Sequence, residues 1–291
     1  MKISFVWYGI TKRKDQWRDG LWAAMQLLEK KYQVEYCEPT DEITGDVILF
    51  WEAPCTINSG ENAKWYNRIH QMDKKKILLF AGGPIQKEWV ENFDLLAVES
   101  AINAEECEKL DIPHVTAFGV NTDIFKPLKI QKKYITTSHG TCASWKRQWL
   151  ICQAMGEKAL VFGQEQDSDP RPFAECRTCN SIVLPEQSYA ETVKLINSGY
   201  VSVNCADFWG GGQRQTLEAM ACNIPVVVMS DSPKNREYVQ ESDGIICEPN
   251  EVAIRNAVLE AQKRKGQRGY VMSKWTHKHY AKALDKAIQS L

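Results

Sequence analysis

Three features that often reveal a protein's class are missing from this sequence. No apolar run approaches the roughly 20 residues that a bilayer-spanning helix requires, so we expect no integral membrane protein. Neither charge is in excess, because 36 Lys and Arg face 37 Asp and Glu. Overall charge therefore argues neither for nor against a nucleic-acid partner, since a local basic patch can exist within a neutral total. Clustered histidines and carboxylates are also lacking, and we expect no bound metal ion.

The chain shows no sign of secretion either. The opening segment, residues 1–7, is too short for the apolar region of a signal peptide and is predicted to be the first strand. The 10 cysteines are scattered through apolar surroundings such as residues 203–205. We interpret them as reduced core residues, which predicts a cytoplasmic protein.

One pair of cysteines has a spacing that metal sites use. Cys176 and Cys179 form a CxxC motif, but the sequence contains no second such pair. A structural zinc site needs two further ligands at a fitting distance, and only Cys142 and Cys152 are available as helpers. The sequence therefore does not predict zinc binding here.

What the sequence does contain is an alternation of short apolar runs with amphipathic stretches. Its 291 residues are 44% hydrophobic and 25% charged, as in an ordinary globular enzyme. The apolar runs are continuous rather than alternating, which is typical of strands buried on both faces of a parallel sheet. In the first half, strands are predicted at 2–7, 46–51, 76–80, 93–98 and 114–117. Helices are predicted at 17–31 and 104–110.

A second series of the same kind begins near Tyr134. Its predicted strands are 134–137, 159–162, 181–184, 201–204, 226–229 and 244–247. Its predicted helices are 146–155, 189–197, 215–222, 234–239 and 252–265. An amphipathic helix follows over 275–291, with Tyr280, Leu284 and Ile288 in register. This alternation predicts doubly wound parallel sheets, which bind ligands at the carboxyl ends of their strands.

The most informative segment is the glycine-rich string at 210–229, GGGQRQTLEAMACNIPVVVM. A glycine loop leads directly into a short helix that carries Glu218, and an apolar strand follows. Such a loop points unpaired N–H groups outward at the positive end of a helix, which favours an anion such as a diphosphate. Gly211 and Gly212 have no Cβ, so a ligand can approach the main chain closely.

This string resembles the nucleotide-sugar site of family 4 glycosyltransferases with the GT-B fold. The family pattern reads roughly Glu-Gly-Phe-Gly, four residues, Glu-Ala-Met-Ala, a small residue or two, then Pro-Val-Val. A second string, FGVNTDIFKP at 118–127, resembles the Gly-Val-Asp-x-x-x-Phe-x-Pro string that closes the N-terminal domain of that family. The resemblance covers about residues 114–291 well and the first domain in outline.

The resemblance implies an α/β protein of the GT-B fold, with two Rossmann-like doubly wound domains facing a cleft. The acceptor domain would comprise residues 1–125 plus the C-terminal helix 275–291, which crosses back to it, and the donor domain residues 126–274. It implies a retaining, metal-independent hexosyltransferase that moves a sugar from a UDP- or GDP-sugar to a hydroxyl acceptor. The nucleotide sugar is a substrate, so no cofactor is expected. The chain would be a short, divergent member, compact like a phage-encoded enzyme.

The resemblance also implies donor-site residues, position by position. Glu218 matches the glutamate that holds the donor ribose, since a carboxylate can accept two hydrogen bonds from a cis-diol. Gly211, Gly212 and Gln213 fall where backbone amides bind diphosphate and sugar. Lys146 falls where a lysine binds the donor phosphates and stabilises the leaving group. The other predicted donor-side residues are His139, Leu184 and Pro185.

Two departures from the family pattern affect this site. Gly210 stands where the family has its first glutamate, a contact to the donor sugar. Thr141 stands where the family has a phosphate-binding arginine. We predict that Arg147 or Arg214 replaces it, because a guanidinium group binds phosphate oxygens from several directions. The predicted catalytic residues are therefore Lys146, Arg147 and Arg214.

The acceptor side is predicted on the first domain, where the histidines that the family usually has at the strand ends are absent. The loop at 9–18 is basic and follows the first strand, so it should line the acceptor site. The predicted acceptor-binding residues are Lys12, Arg13, Lys14, Trp17 and Glu52. Such a basic edge suits a phosphate-bearing acceptor: a lipid-linked or glycan precursor, a membrane surface, or DNA.

Two other functions stay open. The enzyme could glycosylate hydroxymethylated bases of phage DNA, flipping the nucleotide out and inserting an aromatic such as Trp17. Against this function, only the first loop and residues 74–76 are strongly basic. Alternatively, the chain could be a non-catalytic sugar-nucleotide-binding protein, as Gly210 in place of the first glutamate suggests. Donor hydrolysis separates an enzyme from a binder, and a salt-sensitive DNA gel shift separates a base modifier from a lipid or glycan enzyme.

Overall fold

A computed structural model describes residues 1–13, 16–53, 60–80, 82–165, 171–208, 213–240 and 242–291. The chain divides into two compact units. Unit 1 contains Met1–Gly119 together with His277–Leu291, and unit 2 contains Val120–Thr276. Each unit is built on its own six-stranded sheet.

Unit 1 has a sheet in the order β2-β1-β3-β4-β5-β6, in which all neighbouring strands are parallel. Its strands are β1 (Lys2–Val6), β2 (Gln33–Cys37), β3 (Val47–Glu52), β4 (Lys75–Phe80), β5 (Leu95–Val98) and β6 (His114–Thr116). The chain passes from β1 outward to β2 and then back to β3 on the other side of β1. The winding of this sheet therefore reverses between β1 and β3.

The helices of unit 1 include the last one of the chain. They are α1 (Ile10–Arg13), α2 (Gly20–Leu28), α3 (Gly60–His70), α4 (Lys87–Val90), α5 (Ala101–Lys109) and α13 (His277–Gln289). Asp19 caps α2 by accepting a hydrogen bond from the N–H of Trp22, over 2.9 Å. Helix α13 packs against α2. Beside this contact, Lys31 and Tyr32 donate to Asp285 over 2.7 and 2.6 Å. The last helix thus returns to the first domain, as the resemblance implied.

Unit 2 has a parallel sheet in the order β12-β11-β10-β7-β8-β9. Its strands are β7 (Tyr134–His139), β8 (Ala159–Phe162), β9 (Ile182–Leu184), β10 (Gly199–Asn204), β11 (Val226–Met229) and β12 (Ile245–Cys247). Numbered within the unit and read from the β9 edge, this order is 3-2-1-4-5-6, the order of dinucleotide-binding domains. Its winding reverses between β7 and β10.

Seven α-helices of unit 2 lie in the described part of the chain. They are α6 (Trp149–Met155), α7 (Arg171–Thr178), α8 (Tyr189–Ser198), α9 (Gln213–Ala221), α10 (Pro233–Gln240), α11 (Glu251–Ala261) and α12 (Arg268–Lys274). Ser188 and Asn250 cap α8 and α11 through their side-chain oxygens. The main core lies between α6, α11 and the central strands, with Val203, Val227 and Ile254 inside it. No helix among the described residues of either unit is long and apolar enough to cross a membrane.

The structure confirms the predicted α/β class with two parallel, doubly wound sheets. Strands β8 and β11 have their predicted bounds. Helix α13 buries Tyr280, Leu284 and Ile288 as its periodicity indicated. The sequence did not predict β2, because this edge strand is largely exposed or half-buried and reads QVEYC, without an apolar run. It also placed Lys146 in the first turn of a helix, whereas Lys146 lies on a 3₁₀ turn that precedes α6.

Two valines on α11 test the assignment of the core. Val258 is fully buried, whereas Val252 is 66% exposed. We predict that Val258→Ala lowers the free energy of unfolding by about 2 kcal/mol, because buried methyl groups are lost and a cavity remains. Val252→Ala, the same change on the same helix, should alter it by less than about 0.5 kcal/mol. Urea unfolding followed by circular dichroism measures both, and equal losses would contradict this core.

Candidate functional site

The sheet order of unit 2 indicates where a ligand can bind. In a doubly wound sheet, the connections leave in opposite directions on either side of the point where the winding reverses, and a crevice opens at the carboxyl ends of those strands. In unit 2 these strands are the paired neighbours β7 and β10. His139 is the last residue of β7, Asn204 is the last residue of β10, and α9 follows β10 in the chain. These elements define the candidate site.

A histidine and a glutamate form a buried hydrogen bond at this edge. His139 Nε2 lies 2.8 Å from Glu218 Oε2, and the two side chains are 5% and 6% exposed. Since a carboxylate oxygen accepts, the hydrogen of this bond lies on Nε2. The His139 ring also stacks on Phe162, with 5.6 Å between the ring centroids and 16° between the planes. Glu218 is therefore not a solvated glutamate on a helix surface. It is a buried side chain whose carboxylate is hydrogen-bonded to a residue at the end of β7.

Each partner of this bond keeps one unused polar atom. Within the described residues, Glu218 Oε1 has no hydrogen-bond partner, and His139 Nδ1 is buried without one. Leaving a buried polar group without a partner costs about 1–3 kcal/mol, so most such groups in folded proteins are paired with protein or water. Glu218 thus presents one oxygen fixed by the protein and one that a ligand hydroxyl can use.

Buried polar side chains fix α9 against the ends of the strands. Gln215 donates to a hydroxyl of β7 and to a carbonyl of β10, each over 3.0 Å. The hydroxyl of Thr216 accepts from Asn204 Nδ2 over 2.9 Å and donates to Asn235 Oδ1 over 2.8 Å. Because these groups are buried and paired, they allow α9 little freedom to shift. The network therefore positions Glu218, which lies on the same helix.

The connections after β7 and β8 pack closely together. Gly163 has a φ of 150°, and a Cβ there would lie 1.9 Å from the carbonyl oxygen of Gly140, so only glycine fits. The N–H of Gly163 also donates to the carbonyl of Leu184 over 3.3 Å.

Two of the predicted donor-side residues lie at the end of the neighbouring strand. Leu184 is half-buried at the end of β9, and Pro185 is exposed.

Lys146 and Arg147 lie in the connection after β7, but Arg147 is bound by the protein itself. Its guanidinium donates to both carboxylate oxygens of Asp231, over 2.7 and 2.8 Å, and its Nε donates to the carbonyl of Cys205. Burial lowers the pKa of Arg147, but the hydrogen bond and charge of Asp231 outweigh burial and raise it. The bond from Arg147 holds the pKa of Asp231 below its ordinary value. Arg147 therefore joins the connections after β7, β10 and β11, with its charge matched by a carboxylate.

The glycine-rich loop itself is not part of the described chain. Residues 209–212 lie outside it, so the predictions for Gly211 and Gly212 concern positions outside the described residues. Gln213 is the first residue of α9. Arg214, the other candidate for the missing arginine of the family, is half-buried in the first turn of this helix.

In unit 1, the predicted acceptor residue Glu52 lies at the corresponding point of the sheet. Glu52 ends β3, next to the reversal of winding between β1 and β3. Burial raises the pKa of Glu52, and a hydrogen bond from the N–H of Ala53 over 2.8 Å offsets this only in part. A carboxyl group with a raised pKa at a strand end is typical of residues that exchange protons with a ligand.

The Trp17 ring is buried in unit 1, whereas the sequence predicted a ring that is available to an acceptor. Its side chain is 4% exposed and stacks on Trp51, with ring centroids 5.6 Å apart. Trp7 packs on the same two rings, 5.2 Å from Trp17 and 4.6 Å from Trp51. Burying a large aromatic ring is strongly favourable, which explains why this part of a basic loop turns inward. The ring would have to leave this cluster to insert between bases, so the role of Trp17 at the acceptor stays an untested prediction.

The basic residues of the first loop are only partly described. Lys12 is exposed on α1, a short helix tied to the rest of unit 1 by Thr11, whose N–H and hydroxyl donate to Glu38 over 2.9 and 2.7 Å. Burial raises the pKa of Glu38, but these bonds and the charge of Lys12 outweigh it and lower the pKa. Arg13 ends α1. The Arg13 side chain and Lys14 lie outside the described residues.

The structure brings the four cysteines considered for zinc into one cluster. Cys142, Cys152 and Cys176 are buried in an apolar layer, and Cys179 packs against it. Cysteines in the described part of the chain are all free thiols. Among the same described residues, no three His, Cys, Asp or Glu side chains are placed to hold a metal ion.

Comparisons with known proteins establish the fold of the chain. No family model and no curated protein matches its sequence. Among solved structures, it is similar to sucrose-phosphate synthase from Thermosynechococcus elongatus, with a TM-score of 0.73, 12% identity and coverage of 100% of this chain and 98% of that one. It is similar to HepE of Anabaena in complex with UDP and glucose, with a TM-score of 0.72, 13% identity and complete coverage of both chains.

It is also similar to the BGT protein of phage T4 in complex with its UDP-glucose substrate, with a TM-score of 0.65, 10% identity and coverage of 99% of each chain. At identities this low, the similarity supports an inference about the fold but not about the activity. Together with the two doubly wound sheets, these likenesses show that the chain has the α/β fold of GT-B glycosyltransferases.

The buried pair at the edge of unit 2 generates a measurable coupling. We predict that His139→Ala, Glu218→Ala and the double variant give an interaction energy of about 1.5–3 kcal/mol in urea unfolding, the range for a hydrogen bond to a charged group. A second cycle serves as the control: Lys158→Ala, Glu186→Ala and their double variant, which replace two exposed residues of unit 2. That control should couple by less than about 0.5 kcal/mol. Additive effects of His139 and Glu218 would contradict the hydrogen bond.

Proposed function

We propose that the chain is a glycosyltransferase that moves a sugar from a nucleoside diphosphate sugar to a hydroxyl acceptor without a metal ion. Unit 2 would bind the donor, and unit 1 would bind the acceptor. The GT-B fold of the chain is established above, and the proposal assigns an activity to it. It is supported by the edge of unit 2 and by what the similar structures contain.

The observation that carries the proposal is the open oxygen of Glu218. Its carboxylate lies at the reversal of winding in a sheet of the dinucleotide-binding order, where such sheets bind nucleotides. His139 fixes Oε2, and within the described residues Oε1 has no partner. A carboxylate oriented in this way can accept a hydrogen bond from a ribose hydroxyl without first reorganising, which raises affinity. We assign donor ribose binding to Glu218 on this basis.

The similar structures support a UDP-sugar as donor. HepE of Anabaena was solved with UDP-glucose as well as with UDP and glucose, and BGT of phage T4 with UDP-glucose. These ligands belong to those proteins. Since the present chain shares their fold over nearly its whole length, we propose the same donor class for it, with UDP-glucose as the first compound to test.

The diphosphate needs a positive neighbour, because transfer releases a nucleoside diphosphate whose charge grows towards the transition state. We propose Lys146 for this role, in the connection that leaves β7 directly after His139. Arg147 is a poorer candidate than the sequence indicated, since it would have to leave Asp231. Arg214, at the start of α9, is the arginine that we propose instead. The backbone amides of Gly211, Gly212 and Gln213 would complete the site.

For the acceptor, we propose that Glu52 orients the reacting hydroxyl and that the loop of Lys12, Arg13 and Lys14 forms a positive edge. Glu52 has a raised pKa caused by burial and lies at the reversal of winding in unit 1. A positive edge favours an acceptor that carries phosphate: a lipid-linked or glycan precursor, or DNA with hydroxymethylated bases. Retention of anomeric configuration is proposed from the family resemblance alone, and NMR of the product tests it.

Donor binding tests the proposal directly. In calorimetry with EDTA present, we predict that the chain binds UDP-glucose or another UDP- or GDP-sugar. Glu218→Ala should weaken this binding by about 1.5–3 kcal/mol, or about 10–150-fold, because a charge-assisted hydrogen bond is lost.

The matched control for this experiment is Glu251→Ala, which removes an exposed glutamate of the same unit and should leave affinity unchanged. Circular dichroism shows whether each variant is folded. Failure of all nucleotide sugars to bind would reject the function, and an unchanged affinity in folded Glu218→Ala would reject the assigned site. Binding without release of UDP or GDP would favour a non-catalytic sugar-nucleotide-binding protein.

The positive edge of unit 1 generates a separate prediction. Replacing Lys12, Arg13 and Lys14 with serine should spare donor hydrolysis and reduce sugar transfer, because attraction to a phosphorylated acceptor is lost. Lys30, Lys87 and Lys109 are exposed lysines of the same unit, and their triple serine variant removes the same charge as a control. For a polyanionic acceptor, the loop variant should also show a flatter dependence of binding on salt, by about one unit of log–log slope per lost phosphate contact.

Normal transfer by the loop variant at all salt concentrations would show that these cations are only solvated. Salt-sensitive binding to hydroxymethylated DNA, lost in the loop variant, would favour the base-modifying alternative over a lipid or glycan acceptor.

A further inference from the structure

Unit 2 contains a cluster of four thiols that the proposed function does not use. Cys142 follows β7, Cys152 lies on α6 and Cys176 lies on α7, and all three are at most 1% exposed. Phe173 packs in the same apolar layer. Cys179 is half-buried at its margin, directly after α7. Three separate segments of the chain therefore place their sulfur atoms together.

The Cys176 thiol is the centre of this cluster. It packs with the side chains of Cys142 and Cys152 in the same buried layer. These contacts and burial raise the pKa of Cys176. The neighbouring Cys176 thiol lowers the pKa of Cys152 despite its burial, and Ser181 adds to the effect. Cys152 is thus the sulfur that more readily becomes a thiolate, and its neighbour Cys176 is the sulfur it can attack.

Thiols that lie together can do more than fill an apolar core: they can bind a metal ion or be oxidised to a disulfide. Among the described residues, these thiols are not placed to hold a metal ion. We propose that the cluster is an oxidation site in which Cys152 and Cys176 form a disulfide, with Cys179 as the thiol through which the oxidant enters. The oxidant is a small-molecule disulfide. This inference does not depend on the proposed function.

The reaction proceeds by thiol–disulfide exchange. Cys179, which is partly accessible, attacks the small disulfide as a thiolate and releases one thiol. Cys176 then gives up its proton and attacks the Cys179 sulfur; the second small-molecule thiolate leaves and takes up that proton, and the Cys176–Cys179 bond forms. Cys152 finally attacks Cys176, and Cys179 leaves as a thiol. In sum, two protein thiols lose two electrons and two protons, and one small disulfide is reduced to two thiols.

The sequence makes the product simple to identify. Trypsin cleaves after Lys133, Lys146, Arg147, Lys158, Arg177 and Lys194, and it does not cleave between Arg171 and Pro172. Cys142, Cys152, Cys176 and Cys179 then lie in separate peptides, namely 134–146, 148–158, 159–177 and 178–194. Each possible disulfide therefore gives a distinct pair of linked peptides.

The experiment treats the folded, reduced full chain with glutathione disulfide, blocks free thiols with iodoacetamide, and digests it without reduction. We expect the linked pair 148–158 with 159–177 as the main product. Cys176→Ala and, independently, Cys152→Ala should abolish it. Cys179→Ser should slow its formation about tenfold, because buried thiols react only when the chain opens locally.

Cys107→Ala is the matched control, since Cys107 is equally buried but lies in unit 1; it should change nothing. Thermal unfolding confirms that each variant is folded, and the oxidised chain should melt at a higher temperature than the reduced one. Three results would overturn the proposal. They are the absence of the linked pair, its formation only in urea, and a purified chain with about one zinc ion that Cys176→Ala releases.

Discussion

The site in unit 2 depends on one constraint: a carboxylate can be buried only if the protein pairs it. Isolated burial of an ionised group is very costly, whereas a short hydrogen bond to a fixed donor offsets much of that cost. Glu218 meets this condition through His139, over 2.8 Å. The bond requires α9 to dock on the end of β7, and the buried amides and hydroxyls around Gln215 and Thr216 hold it there. The pairing of this one carboxylate thus depends on how α9 meets the ends of the strands.

Parallel topology explains why the functional candidates gather where they do. In both units the winding reverses once, and candidate site residues lie at the strand ends beside that reversal. In unit 2 they are His139 and Asn204, which end adjacent strands. In unit 1 the residue is Glu52 at the end of β3, where burial raises the pKa of its carboxyl group. In doubly wound sheets the connections leave such strand ends in opposite directions, and this is where ligands commonly bind.

Not every charged or aromatic residue predicted for the site is available to a ligand. The guanidinium of Arg147 is matched by Asp231, and it connects three loops rather than remaining available to an anion. Trp17 differs from expectation in a similar way, because packing on Trp7 and Trp51 draws its ring into unit 1. Tertiary packing gave both residues a structural role. The cysteines show the reverse, since Cys142, Cys152 and Cys176 are ordinary core residues in sequence and come together in one cluster only in the fold.

The sequence alone determined the α/β class, because short continuous apolar runs such as 226–229, alternating with amphipathic helical segments, are typical of parallel sheets covered on both faces. It also determined that α13 has one buried face, through the spacing of Tyr280, Leu284 and Ile288. The glycine-rich string identified Glu218 as a candidate. Only the tertiary structure paired Glu218 with His139, since the two are 79 residues apart and no local pattern links them. The edge strand β2, the burial of Trp17 and the pairing of Arg147 were decided in the same way. Each depends on which neighbours the sheet order supplies, and a periodicity read along one segment contains no information about its neighbours.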